Sequence, residues 1–140
     1  MVRRAEAGTL TVEIEGVSTS FFIYAYPLLR PLVASPWPFC LAAVEDIAAM
    51  KVAAIAGRGS RKDFVDLYVV CREVMPLAKV LRLFDEKFHG VPFERYHVLK
   101  SLTHFDDAER EPMPEMIRPV RWEEVRAFLV KEAPRSFAEG

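Results

Sequence analysis

Residues 50–68 read MKVAAIAGRGSRKDFVDLY, and this stretch predicts two helices joined by a basic, glycine-containing turn. Gly57 is a typical end for the first helix. Ser60 is a candidate N-cap of the second helix, with Asp63 at the position that completes a capping box. The turn collects four cations and two carboxylates where two otherwise apolar helices meet. These six charged residues are Lys51, Arg58, Arg61, Lys62, Asp63 and Asp66.

The spacing of these charges predicts which of them share a face. Lys51 and Arg58 are seven residues apart on one helix, and Asp63 and Asp66 are three apart on the next. Lys51 lies in the apolar run AAMKVAAIA, where a lysine either snorkels to solvent or pairs with a carboxylate, and Asp66 is a candidate partner.

Basic side chains beside a helix N-terminus favour anions, because the free N–H groups and the helix dipole already attract negative charge. We therefore predict a phosphate-binding site at this corner. The alternative is a salt-bridged junction with a structural role only, in which each aspartate stabilises the helix N-terminus by ~0.3–1 kcal/mol. The predicted phosphate ligands are Lys51, Arg58, Arg61 and Lys62.

The composition predicts a folded protein with a core of its own. The 140-residue chain is 51% hydrophobic and 28% charged, which is typical of a single domain. Its formal net charge of -1 offers no general attraction to nucleic acid or an anionic membrane. The chain opens with no signal peptide and holds no apolar run long enough to span a bilayer, so we expect a cytoplasmic protein without a membrane partner. No histidine or cysteine spacing matches a metal site, and we predict none.

Around the helical junction the sequence predicts an α+β fold in a single domain, 1–140. We expect an N-terminal β-hairpin over 8–26, because Thr9–Ile14 alternates polar and apolar residues and Glu15–Gly16 suits a two-residue turn. The aromatic run 21–24 at the end of the second strand predicts burial on both faces. An uncovered sheet edge would favour a homodimer.

Prolines predict a loop over 27–43, which we expect Trp37 and Phe39 to anchor to the body. A bundle of about five helices then makes up a helical region, 44–132. An acidic loop is expected over 106–111, and a frayed tail after Ala133. The helices are predicted over 44–56, 61–74, 77–88, 93–102 and 122–131.

The run EDIAAMKVAAIAGRGSRKDFVDLY, residues 45–68, resembles the helical motif of the AbiEii/AbiGii abortive-infection toxin nucleotidyltransferases. That motif is a lysine helix, then an arginine, then KD-x-x-DL. Residues 8–29 are similar to the late strands of the family's catalytic sheet, and 98–114 resemble the segment that follows the motif in one branch. The resemblance covers about Gly8 to Phe128. The matching residues are Lys51, Arg58, Lys62-Asp63 and Asp66-Leu67.

The resemblance implies the toxin of a toxin–antitoxin or abortive-infection system. Such an enzyme transfers a nucleoside monophosphate from an NTP, with Mg²⁺, to an acceptor such as tRNA. The implied partners are therefore an NTP, tRNA or another RNA, and an antitoxin protein. By this resemblance Lys51 contacts the triphosphate, and Asp63 or Asp66 positions it or orients Lys51. Arg58 and Lys62 are the supporting cations.

The family's Gly-Ser turn and D-x-D strand, which hold Mg²⁺, have no counterpart in this sequence. Gly59-Ser60 lies within the helical motif, Asp106-Asp107 is adjacent and not alternating, and no Gly-Ser turn precedes Glu13 and Glu15. We therefore expect the C-terminal part of such an enzyme, as a truncated, split or remnant gene product that transfers no nucleotide by itself. The alternative is a non-catalytic module that binds a nucleotide, RNA or an antitoxin through the basic corner 58–62.

Overall fold

The computed structural model describes residues 1–139, which begin with a three-stranded antiparallel sheet in the order β1-β2-β3. Gly8 and Gly16 supply the positive φ values, 79° and 82°, of the two tight turns. The predicted hairpin is confirmed as β2 and β3, and the residues before it form a further strand. The strands are β1 (Val2–Glu6), β2 (Thr9–Ile14) and β3 (Val17–Phe22).

One face of this sheet is apolar and exposed. The strand alternation and the antiparallel register place Leu10 opposite Phe21, and Ile14 opposite Val17, on the same face. The predicted burial of the aromatic run 21–24 is wrong, because Phe21 is 55% exposed and Phe22 58% exposed. The helices pack on one another and leave this apolar face uncovered.

Five helices of at least eight residues, and one short helix, follow the sheet within residues 1–139. The α+β prediction and the bundle of about five helices are confirmed. Every helix in the described part of the chain is too short or too polar to span a bilayer. The helices are α1 (Val44–Gly57), α2 (Arg61–Glu73), α3 (Leu77–Lys87), α4 (Arg95–Leu102), α5 (Asp106–Glu109) and α6 (Trp122–Ala138).

Two segments that were expected to be irregular are helical. The frayed tail expected after Ala133 is instead helical, and α6 continues through Pro134 to Ala138. Ala133 and Ser136 are buried, so tertiary packing offsets the backbone hydrogen bond that Pro134 cannot make. The acidic segment expected to be a loop forms α5.

Helix α1 lies at the centre of the helical region and contacts α2, α3 and α4, while α6 packs across α2, α3 and α4. The buried face of α1 consists mainly of small residues, Ala48, Ala49 and Val52, which allow neighbouring helices to approach closely. Met50 and Ala54 of α1 line an open cavity.

The proline-bearing loop between β3 and α1 is irregular, as expected, but its anchor differs from the predicted one. Trp37 and Phe39 stack on each other, with ring centroids 5.8 Å apart, and both are exposed. Asp46 of α1 holds the loop instead, because its carboxylate accepts hydrogen bonds from the amides of Leu29 (2.9 Å) and Arg30 (3.1 Å).

Candidate functional site

The turn between α1 and α2 brings Lys51, Arg58 and Asp63 together. Gly59 adopts a φ of 61°, in the left-handed region that favours glycine, and so allows the sharp turn. The Asp63 side chain is 1% exposed. The side chains that donate hydrogen bonds to its carboxylate all belong to this corner. Lys51 Nζ lies 3.0 Å from Oδ1, while Arg58 Nη2 (3.0 Å) and Ser60 Oγ (2.8 Å) lie beside Oδ2.

Lys51 bridges two carboxylates on one face of α2. Its Nζ also lies 2.6 Å from Oδ2 of Asp66, which is half-exposed. The expected pairing of Lys51 with Asp66 is therefore confirmed, and the buried Asp63 is an additional partner that fixes the lysine more rigidly.

The Lys51 and Asp63 side chains are both charged at neutral pH. Burial alone would raise the pKa of Asp63, but the hydrogen bonds from Lys51 and Ser60 outweigh it and hold this pKa below its ordinary value. Burial alone would lower the pKa of Lys51, whereas hydrogen bonds to Asp66 and Asp63 raise it above its ordinary value. The cluster is suited to holding an anion near fixed cations, and poorly suited to proton transfer.

The predicted capping box does not form. Ser60 is the N-cap of α2, but its hydroxyl donates to the carboxylate of Asp63 and caps no backbone amide. The amide of Arg61 donates instead to Glu111 Oε2, at 2.8 Å. The first backbone amide of α2 thus donates to a carboxylate of the chain itself, at the corner where the sequence predicted a phosphate-binding site.

The structure separates Arg61 from the other predicted cations. Its Nε donates to the carbonyl oxygen of Ala108 at 2.7 Å, and its guanidinium lies 4.7 Å from the Trp122 ring centroid. These contacts tie α2 to α5 and α6. Lys62 is exposed, and the cations that the structure brings together at Asp63 are Lys51 and Arg58.

Lys51, Arg58 and Asp63 line one end of a cavity of about 510 Å³. This volume is within the range of small-molecule sites, roughly 300–1,000 Å³. The floor is the open face of α1, where Met50 lies among the small residues Ala53, Ala54 and Gly57. The rest of the lining is an aromatic wall, formed by Phe22, Tyr24, Tyr26, Phe88 and Phe93.

Sequence reasoning missed the aromatic wall. Its residues come from the end of β3, the segment after it, the end of α3 and the approach to α4. The one available signal is the aromatic run 21–24, whose pattern predicts burial on both faces. Tertiary packing alone brings Phe88 and Phe93 beside that run.

A second ion pair of α1 stabilises the segment that carries part of this wall. Lys87 Nζ and Asp46 Oδ1 lie 2.6 Å apart, and both side chains are fully buried. Lys87 also donates to the carbonyl oxygen of Pro27 at 2.7 Å, and its Nζ lies 5.3 Å from the Tyr24 ring centroid. The pair therefore holds the segment that carries Tyr24 and Tyr26 against α1 and α3.

The carboxylates at the corner do not fit a magnesium ion. Asp63 is surrounded by donors of the chain itself, and Asp66 is paired with Lys51. No group of three or more metal-ligating side chains lies within residues 1–139. Mg²⁺ prefers oxygen ligands that are free to coordinate it, so we assign no step through a metal held by these residues.

The fold and the site define a protein that combines a small antiparallel sheet with a helical body and carries a cationic cavity at a helix corner. Residues 8–139 match the family described as nucleotidyl transferase AbiEii toxin, type IV toxin–antitoxin system. The chain belongs to this family, and the membership predicted from the helical motif is confirmed.

An uncharacterized protein of Aquifex aeolicus is 40% identical over 126 residues, which cover 89% of this chain and 59% of that protein. The chain therefore spans about three-fifths of the length of the curated relative that it matches. No solved structure gives a significant match.

Proposed function

We propose that the cavity binds the nucleoside triphosphate of a nucleotidyl transfer reaction, with its phosphates at Lys51 and Arg58. One observation carries this proposal: a buried carboxylate, Asp63, holds two cations in a fixed arrangement at one end of a ligand-sized cavity. Membership of a nucleotidyl transferase family supports it.

The two cations suit phosphate in different ways. The Lys51 ammonium is a compact charge, held by two carboxylates and still 23% exposed. The Arg58 side chain is 62% exposed, and its planar guanidinium can donate two parallel hydrogen bonds to a phosphate. A phosphate that approaches Lys51 would compete with the half-exposed Asp66, while Asp63 stays in place as a positioning residue.

The reaction that we propose for the whole protein is transfer of a nucleoside monophosphate to an acceptor such as tRNA, within a toxin–antitoxin system. The family description supports this class of reaction and an antitoxin partner. The described residues do not fit Mg²⁺, so we assign nucleotide binding, and no transfer step, to this chain.

The structure weakens the alternative of a nucleic-acid- or antitoxin-binding corner over 58–62. Arg61 is bonded to Ala108 and stacked on Trp122, which leaves Arg58 and Lys62 as the exposed cations of that corner. Two exposed cations on a chain of net charge -1 make a small patch for RNA. The cavity is therefore the better candidate for the ligand.

The test is titration calorimetry at low salt with ATP, with and without Mg²⁺, and with inorganic tripolyphosphate. We expect Lys51→Gln to weaken binding of both ligands by about tenfold or more, because it removes one charge-assisted contact to phosphate. Lys131→Gln is the matched control, since Lys131 is a 70% exposed lysine on α6, outside the cavity lining.

Two results would contradict the proposal. One is that the wild-type chain binds neither ATP nor tripolyphosphate, and the other is that Lys51→Gln binds them as tightly as Lys131→Gln does. Binding of labelled RNA that falls on Lys62→Gln, and stays unchanged on Lys51→Gln, would support the corner instead of the cavity.

A further inference from the structure

We propose that the aromatic wall is the site of the nucleobase, which stacks on its rings with little reading of the base edge. This inference rests on the proposed function, because it places the base of the same nucleotide whose phosphates meet Lys51 and Arg58.

The wall is a continuous row of rings. Ring centroids are 6.3 Å apart for Phe22 and Tyr24, 5.2 Å for Tyr24 and Tyr26, and 4.9 Å for Tyr26 and Phe88. Phe88 and Phe93 continue the row at 5.5 Å. Successive rings are inclined to each other by 63–73°, and the exposed rings of Phe22 and Tyr26 leave aromatic surface open to a planar base.

The cavity floor leaves room for a flat ligand. Ala53, Ala54 and Gly57 of α1 form it together with Met50, and a Cβ built on Gly57 meets nothing within 4 Å. These small residues let a ring approach the helix, and they connect the aromatic wall to the cations of the same cavity. A nucleotide has the same two-part character, with a planar apolar group at one end and anionic phosphates at the other.

The wall is held firmly although parts of it are exposed. The buried Asp46–Lys87 pair fixes the segment after β3, and Lys87 lies over the Tyr24 ring. Phe22 is nevertheless 58% exposed and Tyr26 40% exposed. A stacked base would remove these ring surfaces from water, and base–aromatic stacking stabilises such complexes by ~1–3 kcal/mol per base.

The chemistry of the wall predicts weak discrimination between bases. The charged residues that line the cavity, Lys51, Arg58 and Asp63, cluster at the helix corner and not among the rings. Burial, the largest cause, raises the pKa of Tyr24 from its ordinary value of 10.0 to about 12, so its hydroxyl adds no charge to the wall. Stacking then sets the preference, and we expect ATP and GTP to bind alike and more tightly than UTP and CTP.

Adjacent phenylalanines provide a matched test. Phe22 lines the cavity, whereas Phe21 lies on the opposite face of β3, outside the cavity, with a similar exposed fraction. We expect Phe22→Ala to weaken ATP binding by about fivefold or more and to leave tripolyphosphate binding unchanged, because only ATP carries a base. Phe21→Ala should change neither.

Tyr26→Leu is a second variant in the wall, for use if Phe22→Ala does not fold, and it should show the same selective loss of ATP binding. The inference is overturned if these wall variants bind ATP like the wild type, if they lose ATP and tripolyphosphate equally, or if Phe21→Ala matches Phe22→Ala. If Lys51→Gln loses both ligands while the wall variants lose neither, the base site fails and the proposed function stands. If the wild type binds neither ligand, both fail.

Discussion

Helix α1 carries two ion pairs of the same chemistry in opposite surroundings. The core pair, Asp46–Lys87, has both side chains 0% exposed and a separation of 2.6 Å. The cleft pair, Lys51–Asp63, has its carboxylate buried but its lysine 23% exposed, at 3.0 Å. In both pairs the pKa of the carboxyl group lies below its ordinary value, because hydrogen bonds from the paired lysine and nearby donors outweigh the effect of burial.

The two pairs differ in whether their charged groups are accessible to a ligand. Lys87 and Asp46 use their remaining hydrogen bonds on the backbone of Pro27, Leu29 and Arg30, so the core pair fastens a loop and has no access to a ligand. The cleft pair opens onto the cavity. Access to solvent, and not the ion pair itself, separates the structural pair from the pair that we propose as part of a ligand site.

The largest expected effect comes from breaking the core pair. Lys87→Met should lower the free energy of unfolding by ~3–5 kcal/mol, because it leaves the buried carboxylate of Asp46 without its cation. Urea unfolding at neutral pH measures this loss. The control is Lys79→Met, the same change at an exposed position of α3. Equal losses in the two variants would mean that the core pair does not stabilise the fold.

A smaller effect is expected in the cleft pair, and it should depend on pH. Asp63→Asn should cost ~1–3 kcal/mol at pH 7, because the partly exposed Lys51 and Arg58 lose their shared carboxylate. The folded-state pKa of Asp63 lies below its ordinary value of 3.8. Its ionised form therefore stabilises the fold above pH 3.8, and this contribution is lost as the pH falls through the lowered pKa.

Unfolding measured at pH 7 and near pH 3 tests this dependence. The difference between wild type and Asp63→Asn should shrink at the lower pH, while the contribution of Asp46 is common to both proteins and cancels. Because the pKa of Lys51 is raised, its own contribution is complete below its ordinary value of 10.5 and is lost only as the pH rises above it. A cost that is the same at both acid and neutral pH would contradict the ionic role of Asp63.

The smallest expected effect on stability is that of Asp66→Asn. Asp66 is half-exposed, so its pairing with Lys51 should contribute under ~1 kcal/mol to the free energy of unfolding. Binding of ATP should tighten, because a carboxylate that competes with phosphate for Lys51 is removed. Calorimetry that showed weaker ATP binding would assign Asp66 a direct part in holding the ligand.

The charged corner of the site could be predicted, because it depends on the spacing of residues within two connected helices. Gly57 and Ser60 marked the helix boundaries within one residue, and the positions of Lys51, Asp63 and Asp66 on two connected helices were enough to predict an ion pair. The aromatic wall could not be predicted, because Tyr26 and Phe88 are far apart along the chain and are brought together only by tertiary packing.

The sequence by itself determined the α+β class, the charged helix corner and the family, because each depends on local periodicity or on one continuous motif. Only the tertiary structure decided which charged groups are free to bind a ligand. Arg61 is engaged by Ala108, 47 residues away, and Lys87 by Asp46, 41 residues away. Burial and pairing of this kind arise from contacts between distant segments, which the spacing of charges along the chain does not reveal.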